Sequence, residues 1–255
     1  MNYKKTFRYV PPFLLFVIVS LMIIIGINHV YVPLYFQGYK ITIMLFFIPL
    51  TFSIIMWLLA FFSLMVDDPG DMKNEARYVK KKDCETRCSK CNSIKPFRAH
   101  HCSTCGKCFG KMDHHCLIIG KCVAIRNHKT FVVFLLHGIL MTVNWFFVTL
   151  IMIFKGCNKF PIELILDVFG STTTPTFLGV LFAQQILNIM SGRTILEIEF
   201  DIPIRKDKTK LQYLEEVLGP LSLNWLIPTP TPYTTNAFQW EYMKGDYKKE
   251  DSDKE

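Results

Sequence analysis

The chain has 255 residues, of which 51% belong to the apolar AVILMFWYC set and 20% are charged, with a formal net charge of +8. Soluble domains carry about 25% charged residues distributed over one surface, whereas here the charges gather at both ends and in one central block. That distribution excludes a single soluble core, a disordered chain and a collagen-like chain.

In chain order, residues 9–39 contain no Asp, Glu, Lys or Arg and have their apolar heart at 13–27. Lys4, Lys5 and Arg8 precede this stretch as in a secretory signal, but no A-x-A-like cleavage site follows, so it reads as a retained span. Residues 41–66 form a second uncharged run of 26 residues, and residues 130–154 a third of 25; about 20 apolar residues suffice to cross the hydrocarbon as a helix. His137, in the third run, reads as a packed, hydrogen-bonded side chain. The fourth run, 168–192, is less apolar: it opens with a Gly, Ser, Thr and Pro segment at 170–175 and contains Gln184, Gln185 and Asn188. Amides inside a span usually bond to neighbouring helices, and that, ahead of substrate contact, is the expectation for these three. Gly138, Thr142, Ser20 and Gly179 are small enough to border a cavity between helices, although such residues more often mark close packing.

Lys and Arg alternate between rich and poor connections. Three lie in the N-terminal tail, one (Lys40) between the first two spans, fourteen in 67–129, two in 155–167 and nine after the fourth span. The positive-inside rule then places both termini and the large loop in the cytosol. The expected organisation is an all-α integral membrane protein: a tail at 1–10, two spans within 11–66, a cytosolic domain at 67–129, two spans within 130–192, and a C-terminal segment at 193–255. Within the last part, Leu211, Leu214, Val217, Leu218 and Leu221 recur at helical spacing, predicting a short amphipathic helix in 209–225, on the membrane surface or against the loop. Pro228, Pro230 and Pro232 preclude regular structure after it, and 242–255, dense in Lys, Asp and Glu, reads as a solvated tail.

Seven of the nine cysteines fall between Cys88 and Cys122, together with four histidines. Thiols in a cytosolic loop stay reduced, and repeated C-x2-C is the spacing with which two thiolates grip a tetrahedral zinc ion. The segment is too poor in aliphatic residues to pack a core, and a metal would supply the missing folding energy. Eleven candidate ligands exceed the eight that two four-coordinate sites use. Spacing alone leaves open which three are surplus: His100 competes with His101, and His114, His115, Cys116 and Cys122 compete with one another. A surplus Cys beside a surplus His and Asp113 has the composition of an activated thiol nucleophile. Cys84 and Cys157 lie outside the constellation; Cys157 has no partner for an intrachain disulfide.

The run Cys88-x2-Cys91-x3-Lys95-Pro96-x-Arg98-x2-His101-Cys102-x2-Cys105-x2-Cys108-x4-Asp113-His114-His115-Cys116-x5-Cys122-x4-Asn127-x3-Phe131 resembles the cysteine-rich domain of the DHHC family of protein S-acyltransferases, the palmitoyltransferases. Asp68-Pro69-Gly70 is similar to the family's DPG motif, Thr194-Ile195-Leu196-Glu197 to its TTxE motif, and Val217-Leu218-Gly219 distantly to its C-terminal element. The four-span layout is also the family's.

The resemblance implies one zinc ion held by Cys88, Cys91, His101 and Cys108 and another by Cys102, Cys105, His115 and Cys122, both in structural roles, leaving His100 as surface filler. It implies transfer of a long-chain acyl group from acyl-CoA (palmitoyl-CoA) to cytosolic cysteines of membrane-associated proteins. Cys116 would be the nucleophile, His114 the general base and Asp113 the residue that orients it. An endomembrane location, endoplasmic reticulum or Golgi, is expected.

Each zinc with three thiolates carries a net charge of about −1, so Lys90, Lys95, Arg98, Lys107, Lys111, Lys121 and Arg126 either neutralise it or meet CoA phosphates. Arg126 and Lys129, nearest the third span, are the candidates for CoA binding. No nucleic-acid partner is expected, because fourteen bases against seven acids in the loop are used up by that balance. The sequence departs from the family at Leu117-Ile118, where Pro-Trp is usual, at Lys121 (for Asn), at Ala124 (for Gly) and at Ile195 (for the second Thr). None of these changes touches a ligand or the Asp-His-Cys set. The alternative class is a catalytically silent membrane zinc scaffold.

Overall fold

The computed structural model describes residues 10–75, 86–155, 161–204 and 208–229. Cys84, Cys157, Pro230, Pro232 and the 242–255 tail lie outside the described residues. Four helices are long and apolar enough to cross a membrane: Val10–Phe36, Lys40–Val66, His128–Phe154 and Ile165–Met190. The chain divides into two compact units, Met1–Phe61 with Val133–Ala183 and Phe62–Val132 with Gln184–Glu255.

The first unit holds most of the helical spans. Helix α1 (Val10–Gly26) continues through a π turn at Ile27–Tyr31 into α2 (Val32–Phe36). Pro33 explains the turn: it has no N–H to donate and its ring crowds the carbonyl one turn back, and the register widens by one residue, as a π turn requires. Helix α3 is Lys40–Val66.

Large apolar side chains face outward along these helices, among them Phe13, Ile18, Met44 and Ile48, which are 53–69% exposed. Helices so apolar on their outer faces call for a lipid solvent. Contacts between helices are aromatic and amide: Trp57 stacks on Phe61 at 5.4 Å and tilts against Phe134 at 5.2 Å. The Tyr31 hydroxyl donates to Asn144 Oδ1 at 2.5 Å, and Asn144 Nδ2 donates to the Phe46 carbonyl at 2.9 Å. His137 is fully buried, edge-on to Phe52. Of the small residues expected to border a cavity, Gly138 is a packing site, since a Cβ there would sit 3.1 Å from Leu178. Thr142 does line a void of about 40 Å³, bordered also by Gly26, Tyr31, Leu50, Met141 and Trp145.

Helix α5 (His128–Phe154) begins two residues before the predicted third run, and α6 (Pro161–Met190) begins seven before the fourth. The polar 170–176 segment is helical throughout, with Pro175 inside it. Its hydroxyls fold back onto the helix: Thr172 Oγ1 donates to the Val168 carbonyl at 2.8 Å, Thr173 Oγ1 to Phe169 at 2.7 Å and Thr176 Oγ1 to Thr172 at 2.8 Å. Side chains that satisfy themselves on the preceding turn let a polar stretch stay helical in an apolar medium.

The second unit contains the cysteine-rich segment. Helix α4 (Met72–Glu75) leads to two antiparallel hairpins, β1 (Ala99–Cys102) with β2 (Lys107–Gly110) and β3 (His114–Cys116) with β4 (Lys121–Val123). Each hairpin closes through four residues ending in a left-handed glycine, Gly106 (φ +67°) and Gly120 (φ +68°), a conformation that side-chain-bearing residues rarely adopt. The Asp68-Pro69-Gly70 motif is an Asx turn laced to this domain. Asp68 Oδ1 accepts from the main-chain N–H groups of Gly70 and Asp71, and the Gly70 carbonyl accepts from Gly110. Apolar packing is sparse and interspersed with thiols: Met72, Ala99 and Ile125 around Cys88 and Cys108, and Phe109, Met112 and Ala124 around Cys102 and Cys122.

After α6 come α7 (Ile195–Glu199) and α8 (Lys210–Leu218), each opened by a threonine capping box, Thr194 with Glu197 and Thr209 with Gln212. Helix α8 is shorter than the predicted 209–225 because Gly219 turns left-handed at φ +84°. Its Tyr213, Val217 and Leu218 are buried while Leu211 is exposed, and Glu216 pairs with Lys111 at 2.5 Å. Of the two expected positions, it takes the one against the loop.

Candidate active site and metal centres

The structure gathers eight ligands into two groups: Cys88, Cys91, His101 and Cys108, and Cys102, Cys105, His115 and Cys122. In the first, Cys91 Sγ lies 3.5 Å from Cys108 Sγ, and His101 Nδ1 lies 3.6 Å from Cys88 Sγ and 3.8 Å from Cys108 Sγ. In the second, His115 Nδ1 stands 3.5 Å from Cys102 and Cys105 Sγ and 3.6 Å from Cys122 Sγ, with Cys105 and Cys122 3.6 Å apart. A tetrahedron with Zn–S of about 2.3 Å and Zn–N of about 2.0 Å has edges of roughly 3.5–3.8 Å. Both groups have the size of a four-coordinate zinc ion.

Strand geometry explains how the ligands interleave. Successive side chains on a strand point to opposite faces, so β1 gives His101 to one group and Cys102 to the other. Strand β3 sends His115 toward the metal group and presents His114 and Cys116 on its opposite face. His100, expected at the surface, is instead half-buried with its Nε2 enclosed, because β1 is covered on that face; burial pushes its pKa down.

Asp113 is fully buried and accepts three hydrogen bonds. His114 Nδ1 lies 2.8 Å from its Oδ2, Gln185 Nε2 donates to the same oxygen at 3.0 Å, and the Ile195 main-chain N–H donates to Oδ1 at 2.9 Å. The His114 ring lies on the strand face it shares with Cys116, and Phe131 packs edge-on against it at 5.1 Å. Burial alone would raise the Asp113 pKa, but the bonds from His114 and Ile195 outweigh it and hold the carboxyl well below the usual range. For His114, burial lowers the pKa and the bonds to Asp113 and Cys116 more than reverse this, raising it to about 9. For Cys116, burial raises the pKa, yet His114 and the main-chain N–H groups of Ile119 and Ile118 bring it below the ordinary thiol value. The arrangement favours thiolate beside imidazolium, with the exposed Leu117 and Ile118 next to it.

Three participants were not assigned to this site from the sequence. Gln185 was expected to bond between helices; it does so, to His128, and bonds to Asp113 as well. His128, first residue of α5, reaches Gln185 Oε1 at 2.8 Å through Nε2. Ile195 contributes through its main chain, so replacing a threonine leaves that bond in place. The one available signal was an amide inside an apolar run.

Most of the basic residues have a use other than the two expected. Arg98 forms a two-pronged bond to Glu197, Lys107 pairs with Asp71, Lys111 with Glu216, and Lys121 donates to the Asp67 carbonyl. The expectation that Arg126 and Lys129 contact CoA finds both buried and engaged. Arg126 grips both carboxylate oxygens of Glu75 at 2.6–2.7 Å, and Lys129 donates to Thr229 Oγ1 at 2.6 Å. These cations hold flanking segments onto the cysteine-rich domain.

Residues 81–201 match the family model described as DHHC palmitoyltransferase. The chain is 33% identical over 228 residues to palmitoyltransferase ZDHHC3 of Rattus norvegicus, covering 75% of this chain and 73% of that protein. It is 30% identical to palmitoyltransferase ZDHHC3 of Homo sapiens with the same coverage.

Proposed function

Because the chain belongs to the DHHC palmitoyltransferase family, we propose that it is a protein S-acyltransferase that works by a two-step thioester exchange at Cys116. The Cys116 sulfur attacks the carbonyl carbon of a long-chain acyl-CoA, the carbon–sulfur bond to CoA breaks, and His114, holding the thiol proton, returns it to the departing CoA sulfur. A cysteine thiol of a membrane-associated protein then attacks the acyl-enzyme, giving its proton to His114 and restoring Cys116 as leaving group. Thioester exchanges for thioester with little net free energy, so the protein's task is activation and positioning.

The observation that carries this reading is the His114 ring, bonded to buried Asp113 at 2.8 Å and set on the strand face it shares with Cys116. A carboxylate fixes the imidazole's orientation and stabilises its protonated form. The two zinc ions would be held by Cys88, Cys91, His101 and Cys108 and by Cys102, Cys105, His115 and Cys122, where they supply the domain's folding energy. All four positions of each are filled by protein, which supports a structural role. The loop faces the cytosol of an endomembrane on this reading, as the loop charges favour. The engaged positions of Arg126 and Lys129 give no support to their binding of CoA phosphates.

Incubating the purified protein and its Cys116→Ala variant with labelled palmitoyl-CoA tests the mechanism. The expected outcome is a hydroxylamine-labile label on the parent and none on the variant; equal labelling would overturn the nucleophile assignment. A parent that binds zinc but never acquires label would be the silent scaffold.

A further inference from the structure

The span amide Gln185 has an environment that helix-to-helix bonding does not account for. It is 3% exposed and its two polar ends meet two other buried polar groups, Asp113 (0% exposed) and His128 (3% exposed). Asp113 lies 72 residues away in sequence, at the entry to β3.

The orientation of the amide follows from the chemistry of its neighbours. An ionised carboxylate only accepts, so the amide must turn its NH₂ toward Asp113 Oδ2, 3.0 Å away. Its oxygen then faces His128 Nε2 at 2.8 Å, and that nitrogen must carry the hydrogen. His128 thereby fixes which end of Gln185 points at Asp113. An sp² oxygen has two lone pairs, and Oδ2 serves two donors, Gln185 Nε2 and His114 Nδ1. On Oδ2 the amide N–H takes one acceptor direction and the imidazole the other, while the Ile195 N–H at 2.9 Å holds Oδ1.

We propose that Gln185 is a positioning residue for acyl transfer: clamped by His128, its amide N–H fixes the Asp113 carboxylate so that His114 is aimed at Cys116. This rests on the acyltransferase reading above and deepens it. Gln185 bonds to Asp113 and His128 and not to the reacting sulfur, so its loss is expected to affect turnover and not acyl-CoA affinity. A catalytic group misplaced by about 1 Å loses about a hundredfold in rate, and partners that orient metal ligands are worth about ten- to a hundredfold, which sets the scale expected here.

The test uses the full-length zinc-loaded protein in detergent and compares the parent with Gln185→Met, which keeps the volume and loses the donor. Two readouts are taken beside zinc content: kcat and KM for acyl-enzyme formation from palmitoyl-CoA, and the rate of Cys116 alkylation by iodoacetamide, followed by peptide mass spectrometry. The expected result is kcat about ten- to a hundredfold lower with unchanged KM and two zinc ions, and Cys116 alkylated at least about tenfold more slowly. An unchanged kcat overturns the proposal, and so does a raised KM at constant kcat, which would mark Gln185 as a substrate contact. Should Gln185→Met lose zinc, Gln185→Leu, which likewise lacks the donor, is held to the same outcomes. Zinc loss by both variants overturns the proposal in favour of a purely structural amide. If the parent forms no acyl-enzyme, the proposed function fails, while the alkylation comparison, which needs no acyl-CoA, still decides the role of Gln185.

Discussion

His114 and Cys116 share one face of a three-residue strand, and the charge on each depends on the other and on Asp113. The Cys116 thiol loses its proton below the ordinary thiol range, while His114 keeps its proton up to about pH 9. Acyl-enzyme formation is therefore expected to rise with pH through the lowered Cys116 value and to fall above about pH 9, where His114 can no longer supply the proton CoA needs to leave. Asp113→Asn removes the charge that holds His114 protonated. The prediction is that the alkaline limb of the kcat profile moves to lower pH and that the rate at neutral pH falls by about a hundredfold, with two zinc ions retained; a pH series of single-turnover labelling measures both. The two anionic zinc groups oppose a thiolate nearby, and the N–H groups of Ile118 and Ile119 work with His114 to offset this.

At the scale of elements, the short helix α7 has a role out of proportion to its five residues. Glu197 caps the helix by accepting from the Thr194 N–H at 2.8 Å and also grips Arg98, whose Nη2 donates to the Gly192 carbonyl at 2.8 Å. Both partners are essentially without exposure. The capped helix start fixes the Ile195 N–H that meets Asp113. Burying two charges is costly, so such a pair is weak support for net stability, but removing one partner strands the other. Glu197→Ala is expected to destabilise the protein by about 3–5 kcal/mol, read as a lowered thermal-denaturation midpoint in detergent. It should also reduce acyl-enzyme formation, because the α7 cap carries the third donor to Asp113. A variant with parental stability would show that Arg98 finds another partner at no cost.

At the scale of the whole molecule, the interleaved ligands bind the two metal groups into one folding event. Strand β1 supplies both groups from adjacent residues, and the apolar clusters around them are small, so neither group has a scaffold independent of the other. Zinc analysis of the parent is expected to give two ions per chain. Cys91→Ser should lose both ions and become sensitive to proteolysis, as should the parent treated with a chelator. Retention of one zinc by the variant would show that the second group folds alone. The apolar outer faces of the spans set the solvent of the remainder, as the uncharged runs implied.

The spans, the spacing of the zinc ligands and the Asp-His-Cys set beside them were legible before any fold was known, because each depends on residues close together in the chain. Uninterrupted hydropathy needs no partner to be recognised, C-x2-C is a local turn, and alternation along β3 separates His115 from His114 and Cys116 within three residues. The limits of α6 were less legible, since the hydroxyls of 171–176 that made the fourth run less apolar are satisfied by carbonyls of their own helix. Charge was legible but its destination was not: Arg126 and Lys129 looked available for phosphate until Glu75 and Thr229 were seen to hold them. The surroundings of Asp113 emerge only once the chain is folded. Its partners at positions 185 and 195 come from the end of a distant helix and from a main-chain N–H, and neither the direction of an amide nor the reach of a backbone donor is written in residue type.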